Sequence, residues 1–342
     1  MTWGNRVTTT TQDYLMPKLV DTILGSNVLF TRFVSKAKKW RGEKLKFPVK
    51  YAKNVTGGSF AGFDTFSVEA TNNRVNMEYE PKFYKITVAL PLDELSVNAT
   101  EDKVLDLAAT EIASATQDMA DDLGTIFYSD GTGNNSKDPL GLAALVDDGT
   151  TVATIGGLSR ATYTTLASTK TASGGSLSLT KMSTLYRACG SGAQKPTIGY
   201  CNETVEGLYE SLLEPAARIA RDVSTMKGVK EIVGGAGFTA FFYKGMPILA
   251  DEKATAQTLI FLNENEIDWY ALPVFDTQPI KFKSAKIEGN DYDSIPTGLG
   301  FSWSGWIKPA NSATLICHIY LGGNLVTKNP KRHGKLTGIT TV

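Results

Sequence analysis

Any chemistry in this chain would have to run through very few groups. Cys189, Cys201 and Cys317 are its three thiols, and His318 and His333 its two imidazoles, among 342 residues. The thiols form no CxxC pair and leave an odd count. That excludes a disulfide framework or a thiolate zinc site and fits a reducing compartment. Two imidazoles are too few for most zinc hydrolases and most His-based acid–base catalysis. GxxxxGK and HExxH do not occur. Gly235-Ala236-Gly237-Phe238-Thr239-Ala240 is a loosened GxGxxA, the glycine turn that lets a pyrophosphate approach backbone amides at a helix start. Here it runs into Phe241-Phe242-Tyr243-Lys244-Gly245, a β pattern entering a turn, so a β connection is expected. Gly57-Gly58-Ser59-Phe60-Ala61 misses the GxSxG nucleophile elbow at its last residue and reads as a loop tip. His318, beside Cys317 in an alternating run, reads as packing or hydrogen bonding rather than ligation. Glycosylation tripeptides begin at Asn54, Asn98, Asn134 and Asn202 without a secretory signal and are read as chance matches. The expectation is no catalytic, cofactor-binding or metal site.

The charges carry a positive clue. Lys plus Arg equal Asp plus Glu at 35 each, yet the signs are segregated. Between Arg32 and Lys53 there are nine basic residues against Glu43 alone, a net of +8. Between Asp93 and Asp122 there are nine acids against Lys103 alone, a net of −8. A charge run by itself reads as a solvated face. Equal and opposite blocks also suit segments that meet across a contact.

These residues must be positioned by a chain long enough for two domains, or one large elaborated domain. Its 42% hydrophobic and 20% charged content excludes disorder, collagen and coiled coil as whole-chain descriptions. No run of 18 apolar residues occurs, and Met1-Thr2-Trp3-Gly4-Asn5-Arg6 lacks the apolar core of a signal peptide, so a soluble protein that stays where it is made is expected. Residues 13–34 carry helical spacing broken by Pro17 and Gly25-Ser26-Asn27 and read as two short amphipathic helices. Alternation over Leu45–Tyr51, a Gly-rich tip at Thr56–Gly62, and return strands at Val75–Tyr79 and Phe83–Leu90 predict a long two-stranded arm. Such a hairpin is marginal alone and needs a surface to lie on.

A long helix is predicted from Asn98 to Tyr128, with Asn98 and Glu101 as a capping-box pair. Its stripe is Leu105, Ile112, Met119 and Ile126, with Ala109, Thr116 and Leu123 between. Residues 129–138 are turn formers. Beyond them, helices near Arg160–Ser168, Thr180–Cys189 and Glu203–Leu213 alternate with strands at Thr197–Tyr200, Phe238–Tyr243, Pro247–Ala250 and Leu259–Leu262. From Trp269 onward the pattern is almost wholly β, ending in Ala313–Leu321. That mixture points to an α/β or α+β layered structure.

This order of elements resembles the tailed-bacteriophage major capsid protein family, the fold shared with encapsulin shells and the herpesvirus capsid floor. Local matches are Leu90-Pro91-Leu92-Asp93-Glu94-Leu95 before the long helix and Gly141-Leu142-Ala143-Ala144-Leu145-Val146 followed by Ile155-Gly156-Gly157-Leu158-Ser159-Arg160-Ala161-Thr162-Tyr163 after it. Pro196-Thr197-Ile198-Gly199-Tyr200-Cys201, Tyr243-Lys244-Gly245-Met246-Pro247-Ile248-Leu249-Ala250-Asp251 and Val326-Thr327-Lys328-Asn329-Pro330-Lys331-Arg332 are further matches. Together they span nearly the whole chain.

The resemblance implies an α+β fold with an N-terminal arm over residues 1–41, an extended β loop and flanking strands over 42–90, and a peripheral domain with a long spine helix over 91–135. An axial α/β domain over 136–268 and a β-rich return over 269–342 complete it. It implies a structural subunit that self-assembles into hexamers and pentamers of an icosahedral virion around double-stranded DNA, built in the host cytoplasm with a scaffolding protein and a portal. The alternatives are an encapsulin-like nanocompartment shell and a nucleotide-binding enzyme built on Gly235–Ala240. Some family members join a loop lysine to a neighbour's asparagine; Lys44, Lys46, Lys50 and Lys53 match by location alone, and no such bond is assigned. Laying the loop of one subunit across its neighbour would set Lys44, Lys46, Lys50 or Lys53 against Glu101, Asp102, Asp106, Glu111 or Asp118. The basic clusters Arg32–Arg41 and Lys328, Lys331, Arg332 and Lys335 would touch phosphates weakly and without sequence preference.

Overall fold

The computed structural model describes residues 27–66, 68–98, 107–172, 175–190, 194–212, 240–272 and 301–341. The expected helix within residues 13–26, Glu101 of the expected capping box and the glycine motif up to Thr239 lie outside them, whereas Asn98, expected to open the long helix, is the last residue of the separate helix Leu92–Asn98.

In chain order, α1 (Val28–Ser35) leads into β1 (Lys38–Lys39), then the hairpin strands β2 (Leu45–Lys50) and β3 (Arg74–Tyr79), and β4 (Lys82–Pro91). Helices α2 (Leu92–Asn98), α3 (Leu107–Tyr128) and α4 (Leu142–Leu145) follow. Next come the short strands β5 (Thr154–Ile155), β6 (Leu158–Ser159), β7 (Thr169–Thr171) and β8 (Gly175–Ser176), then α5 (Leu179–Ala188), β9 (Ile198–Cys201) and α6 (Glu203–Leu212). The remaining strands are β10 (Ala240–Tyr243), β11 (Met246–Ala250), β12 (Thr258–Leu262), β13 (Ile267–Ala271), β14 (Phe301–Trp303), β15 (Thr314–Thr327), β16 (Gly334–Thr337) and β17 (Ile339–Thr341).

Two sheets organise the molecule. The 14-residue β15 is the spine of the first: its N-terminal part pairs with β4 from Thr314↔Pro91 to Gly323↔Lys82, and its C-terminal part pairs with β13. Gly323 sits in β15 because a Cβ there would fall 2.4 Å from the Tyr270 carbonyl and 2.6 Å from the Trp269 ring. The fully buried indole can therefore pack directly against the strand backbone at this position. The second sheet has the order β10-β11-β9-β12-β16-β7. One of its faces, with Ile198, Tyr200, Leu249, Ile260 and Leu262, joins the large core around α1 and α3. The other, with Ile248, Phe261, Phe241 and Tyr243, is covered by α5 and α6.

Helix α3 buries Ala115, Met119, Leu123 and Phe127, an i, i+4 row, while Ile112, Thr116 and Ile126 are half-buried. The heptad-spaced line read from the sequence is therefore only partly the buried one. Against a sheet and a crossing helix the i, i+4 ridge makes the deeper contact.

The helix expected near Arg160–Ser168 is instead a loop with one 3₁₀ turn at Thr164–Leu166. Arg160 is 1% exposed and donates from its guanidinium to the carbonyls of Val152, Ala144, Leu145 and Leu166, so the segment wraps around a buried cation rather than coiling. Beside it, the buried Asp147 carboxylate accepts from the backbone N–H groups of Gly149, Thr151 and Val152 and meets Lys335 at 3.0 Å and Lys170 at 3.4 Å. Burial opposes its ionisation, but the Val152 amide and the Lys335 ammonium outweigh that and hold it well below the usual carboxylate range.

His333 joins the two sheets. Its Nδ1 accepts from the Asn263 N–H at 3.2 Å, which fixes Nε2 as the protonated nitrogen facing the Thr327 hydroxyl at 2.9 Å. Burial pushes this imidazole down to about 3, so it is neutral at physiological pH.

Candidate assembly surfaces

Candidate surfaces begin at the hairpin, where alternation does the sorting. Leu45, Phe47 and Val49 turn inward, and Lys46, Pro48 and Lys50 turn outward. The Phe47 ring meets Tyr79 and Tyr270 edge-on at 6.3 and 6.0 Å, and Met77 and Tyr79 are buried. The Glu78 N–H donates to the Gly156 carbonyl, and Tyr51 packs on Tyr163 at 5.0 Å. The base of the arm thus finds the surface it needs within its own chain, because the inward half of the alternation is apolar and aromatic: Leu45, Phe47 and Val49 on one strand, Val75, Met77 and Tyr79 on the other.

The tip differs. Between Tyr51 and Asn73 the described residues form no strand, and they include Val55, Phe60, Phe63, Phe66 and Val68 at 65% exposure or more. It holds a shape of its own nonetheless. Asn54 Oδ1 accepts from the Thr56 N–H and from the Thr56 and Thr71 hydroxyls, and the Phe60 and Phe66 rings meet edge-on at 5.1 Å. The Gly-rich run is legible in the sequence as a tip, whereas the exposure of Phe60, Phe63 and Phe66 follows only from the fold.

Of the four lysines read as contact candidates, Lys44 pairs with Glu80 and Lys46 with Glu78, each at 2.8 Å, within the same hairpin. Lys50 lies directly opposite Arg74 in the strand register, a like-charge pair, and neither of these nor Lys53 meets a carboxylate among the described residues. Arg74 is the cation that sequence reading missed, since only the register reveals it as the partner of Lys50. Of the acids, Glu111 and Asp118 lie seven residues apart on α3, exposed and outside any ion pair of the described residues; Glu101, Asp102 and Asp106 lie outside those residues. Two further acids of the block are used internally: Asp121 meets Lys253 at 2.8 Å, and Asp122 accepts from the Tyr84 hydroxyl at 2.7 Å.

The two basic clusters converge. Arg32 and Lys36 both meet Glu264, and Lys38 and Lys328 share Asp268 at 2.6 and 2.8 Å. Arg32 and Lys335 are themselves buried and paired, so they are not available to phosphates as the sequence reading had them. Lys36, Lys39, Arg41 and Lys331 remain exposed.

The groups that chemistry would need are placed for packing. All three thiols are buried, and burial pushes Cys189 up to about 12 and raises Cys201 and Cys317. A disulfide reagent such as DTNB is therefore expected to find no reactive thiol in the native protein and three after denaturation; one fast native thiol would contradict this burial. Lys244 and Gly245, at φ +50° and +80°, form a tight β10–β11 turn, so Phe241–Tyr243 belongs to a hairpin and not to a nucleotide-binding helix start. Among the described residues no group of three His, Cys, Asp or Glu could hold a metal ion, and no helix is long and apolar enough to cross a membrane.

No protein-family model and no curated protein matches the sequence. Solved structures do match the fold. A capsid protein of cyanophage A-1(L) superposes with a TM-score of 0.73 at 14% identity, covering 99% of this chain and 100% of that one. The capsid of Myoviridae phage XM1 gives 0.58 at 10% identity, covering 99% of each chain. An encapsulin of Synechococcus elongatus PCC 7942 gives 0.62 at 9% identity, covering 99% and 96%. The two sheets, α3 and the projecting hairpin therefore make an α+β capsid fold. More particularly, it is the fold of tailed-phage major capsid proteins, as the order of elements led one to expect.

Proposed function

We propose that this chain is the repeating subunit of a closed icosahedral shell, the major capsid protein of a tailed phage, built of hexamers and pentamers around double-stranded DNA. In this reading its work is structural rather than catalytic. It assembles in the host cytoplasm with a scaffolding protein and a portal, and it ends in the virion. The observation that carries the reading is the hairpin tip: an anchored arm that presents five large apolar side chains to solvent. Five large apolar side chains this exposed on one loop, two of them in ring contact, are the kind of surface a partner covers, and a second copy would cover them. Electron microscopy of the purified protein tests this, with closed particles expected. A 36.9 kDa monomer at every salt and protein concentration would overturn it.

The encapsulin likeness supports a second reading, a shell that encloses protein cargo. Nuclease-protected DNA inside the particles favours the phage reading, and protein cargo without nucleic acid favours the other. The exposed Lys36, Lys39, Arg41 and Lys331 would meet DNA phosphates in a weak, salt-sensitive way.

Within the shell, the charge blocks set the register of the arm. Directly opposed like charges destabilise a strand pair, and Lys50 and Arg74 are relieved if a neighbour supplies carboxylates such as Glu111 and Asp118. Lys53, Glu101, Asp102 and Asp106 would extend the same contact, while Lys44 and Lys46 serve the hairpin itself. Exposed pairs contribute only about 0.2–1 kcal/mol each, but every subunit repeats them. Reversing Lys50, Lys53 and Arg74 to glutamate is expected to slow assembly at low salt, with partial rescue by Glu111→Lys and Asp118→Lys; unchanged kinetics in the triple variant would sink the pairing.

A further inference from the structure

The face of the second sheet that carries α5 and α6 is charged in a way that the hairpin contacts do not use. From Gly149 to Asn202 the chain contains no Asp or Glu at all, and α5 within it carries only basic charge. Helix α6 carries Glu203, Glu206 and Glu210 and no basic residue. Both helices pack on the same apolar layer, α5 over Phe261 and Leu336 and α6 over Phe241 and Ile248.

The cations around α5 are held in place by neutral groups. Arg187 donates to the Ser183 carbonyl and hydroxyl, Lys244 donates to the Ser183 hydroxyl at 2.8 Å, and Lys195 donates to the Gly190 carbonyl. The Tyr186 ring lies between Lys195 at 5.5 Å and Lys244 at 5.3 Å. Lys244 moreover occupies a positive-φ turn position, φ +50°, where Asn, Asp or Gly is the usual choice. No ion pair among the described residues joins Arg187, Lys195 or Lys244 to Glu203 or Glu210, although both helices sit on one sheet face. Arg187, Lys244, Glu203 and the turn residue Gly245 are exposed.

We infer that these two faces form a head-to-tail contact between copies, with Arg187 and Lys244 of one subunit set against Glu203 and Glu210 of the next. A polyanion would account for the basic face alone and would be repelled by the acidic helix beside it. A second copy of this chain brings both signs and leaves neither unbalanced. Two different patches meeting in this way generate a closed ring when the rotation closes. The inference rests on the shell reading and adds a second intersubunit contact, separate from the hairpin, that selects the direction of the ring.

The test uses full-length protein in two charge-reversed double variants, Arg187→Glu with Lys244→Glu, and Glu203→Lys with Glu210→Lys. The altered groups lie at the surface, and an unchanged thermal melt establishes that each variant is folded. Each double variant alone is expected to close rings more slowly by roughly tenfold or more at low ionic strength, and the four-residue swap is expected to restore the wild-type rate. An equal mixture of the two doubles can alternate around a six-membered ring but not a five-membered one, so hexameric sheets or tubes without closed shells are the expected product. Wild-type shells together with double variants that assemble indistinguishably from wild type would overturn this contact while leaving the shell reading intact. So would basic-face variants that assemble normally but lose binding to DNA, which would make that face a polyanion surface. Wild-type protein that forms no particle would overturn both.

Discussion

Asp147→Ala is expected to lower the unfolding free energy by about 3–5 kcal/mol, the cost of removing one partner from a buried ionic cluster. The reason is local. The carboxylate balances Lys335 and Lys170, and it is the acceptor for three backbone N–H groups in the 149–152 turn. Its loss strands two ammonium groups and three amides beside the buried Arg160 guanidinium. At about 2–4 °C per kcal/mol, a fall of the order of 10 °C in the melting point follows. Asp147→Asn separates the causes, since an amide oxygen still accepts from the turn while the charge is gone; a smaller loss is expected.

The pH dependence of the same group has a defined sign. Because the folded carboxylate titrates below an unfolded aspartate of about 3.9, its stabilisation is fully present at neutral pH. It is lost as pH falls through the acid range below about 4. The Asn variant should therefore show a flatter acid limb than the wild type. A wild-type melt and an Asp147→Ala melt within 2 °C of each other at neutral pH would mean that the cluster is not a stabilising element.

What the sequence disclosed and what it hid divide along the range of the interactions. Strands β2, β3, β4, β11, β12 and β15 follow from alternation and apolar runs, and α5 and α6 from helical spacing, because those signals are local. Ser178, for instance, accepts from the Lys181 N–H and starts α5 where the pattern does. The segment around Arg160 reads locally as a helix but is a loop, because its conformation is dictated by carbonyls as distant as Ala144, 16 residues away. The opposition of Lys50 and Arg74 needs the hairpin register, and the basic face around Tyr186 gathers Arg187, Lys195 and Lys244 from three separate segments. Charge blocks were legible as counts. Which members are used internally, such as Asp121 on Lys253 or Arg32 on Glu264, depends on tertiary contacts that no window of sequence contains.

The hairpin tip carries the other large expected effect. Converting Phe60, Phe63 and Phe66 to serine should leave a folded subunit, because the arm is anchored at its base by Phe47, Met77, Tyr79 and Tyr51 rather than at its tip. Fully burying a phenylalanine contributes about 1.5–3 kcal/mol, so three of them seated on a neighbour amount to roughly 4–9 kcal/mol per arm. Association costs consume part of that. Even the lower figure corresponds to about a thousandfold in the concentration at which shells appear. Exposed ion pairs along the same arm contribute about 0.2–1 kcal/mol each and cannot replace it. Under the proposed contact the charges would set where the arm lies, and the aromatic tip would determine whether it stays. Light scattering across a concentration series is the measurement: the triple variant should remain small where wild type forms particles, with an unchanged melting point. A triple variant that closes shells at the wild-type concentration would show that the tip is not seated on a neighbour.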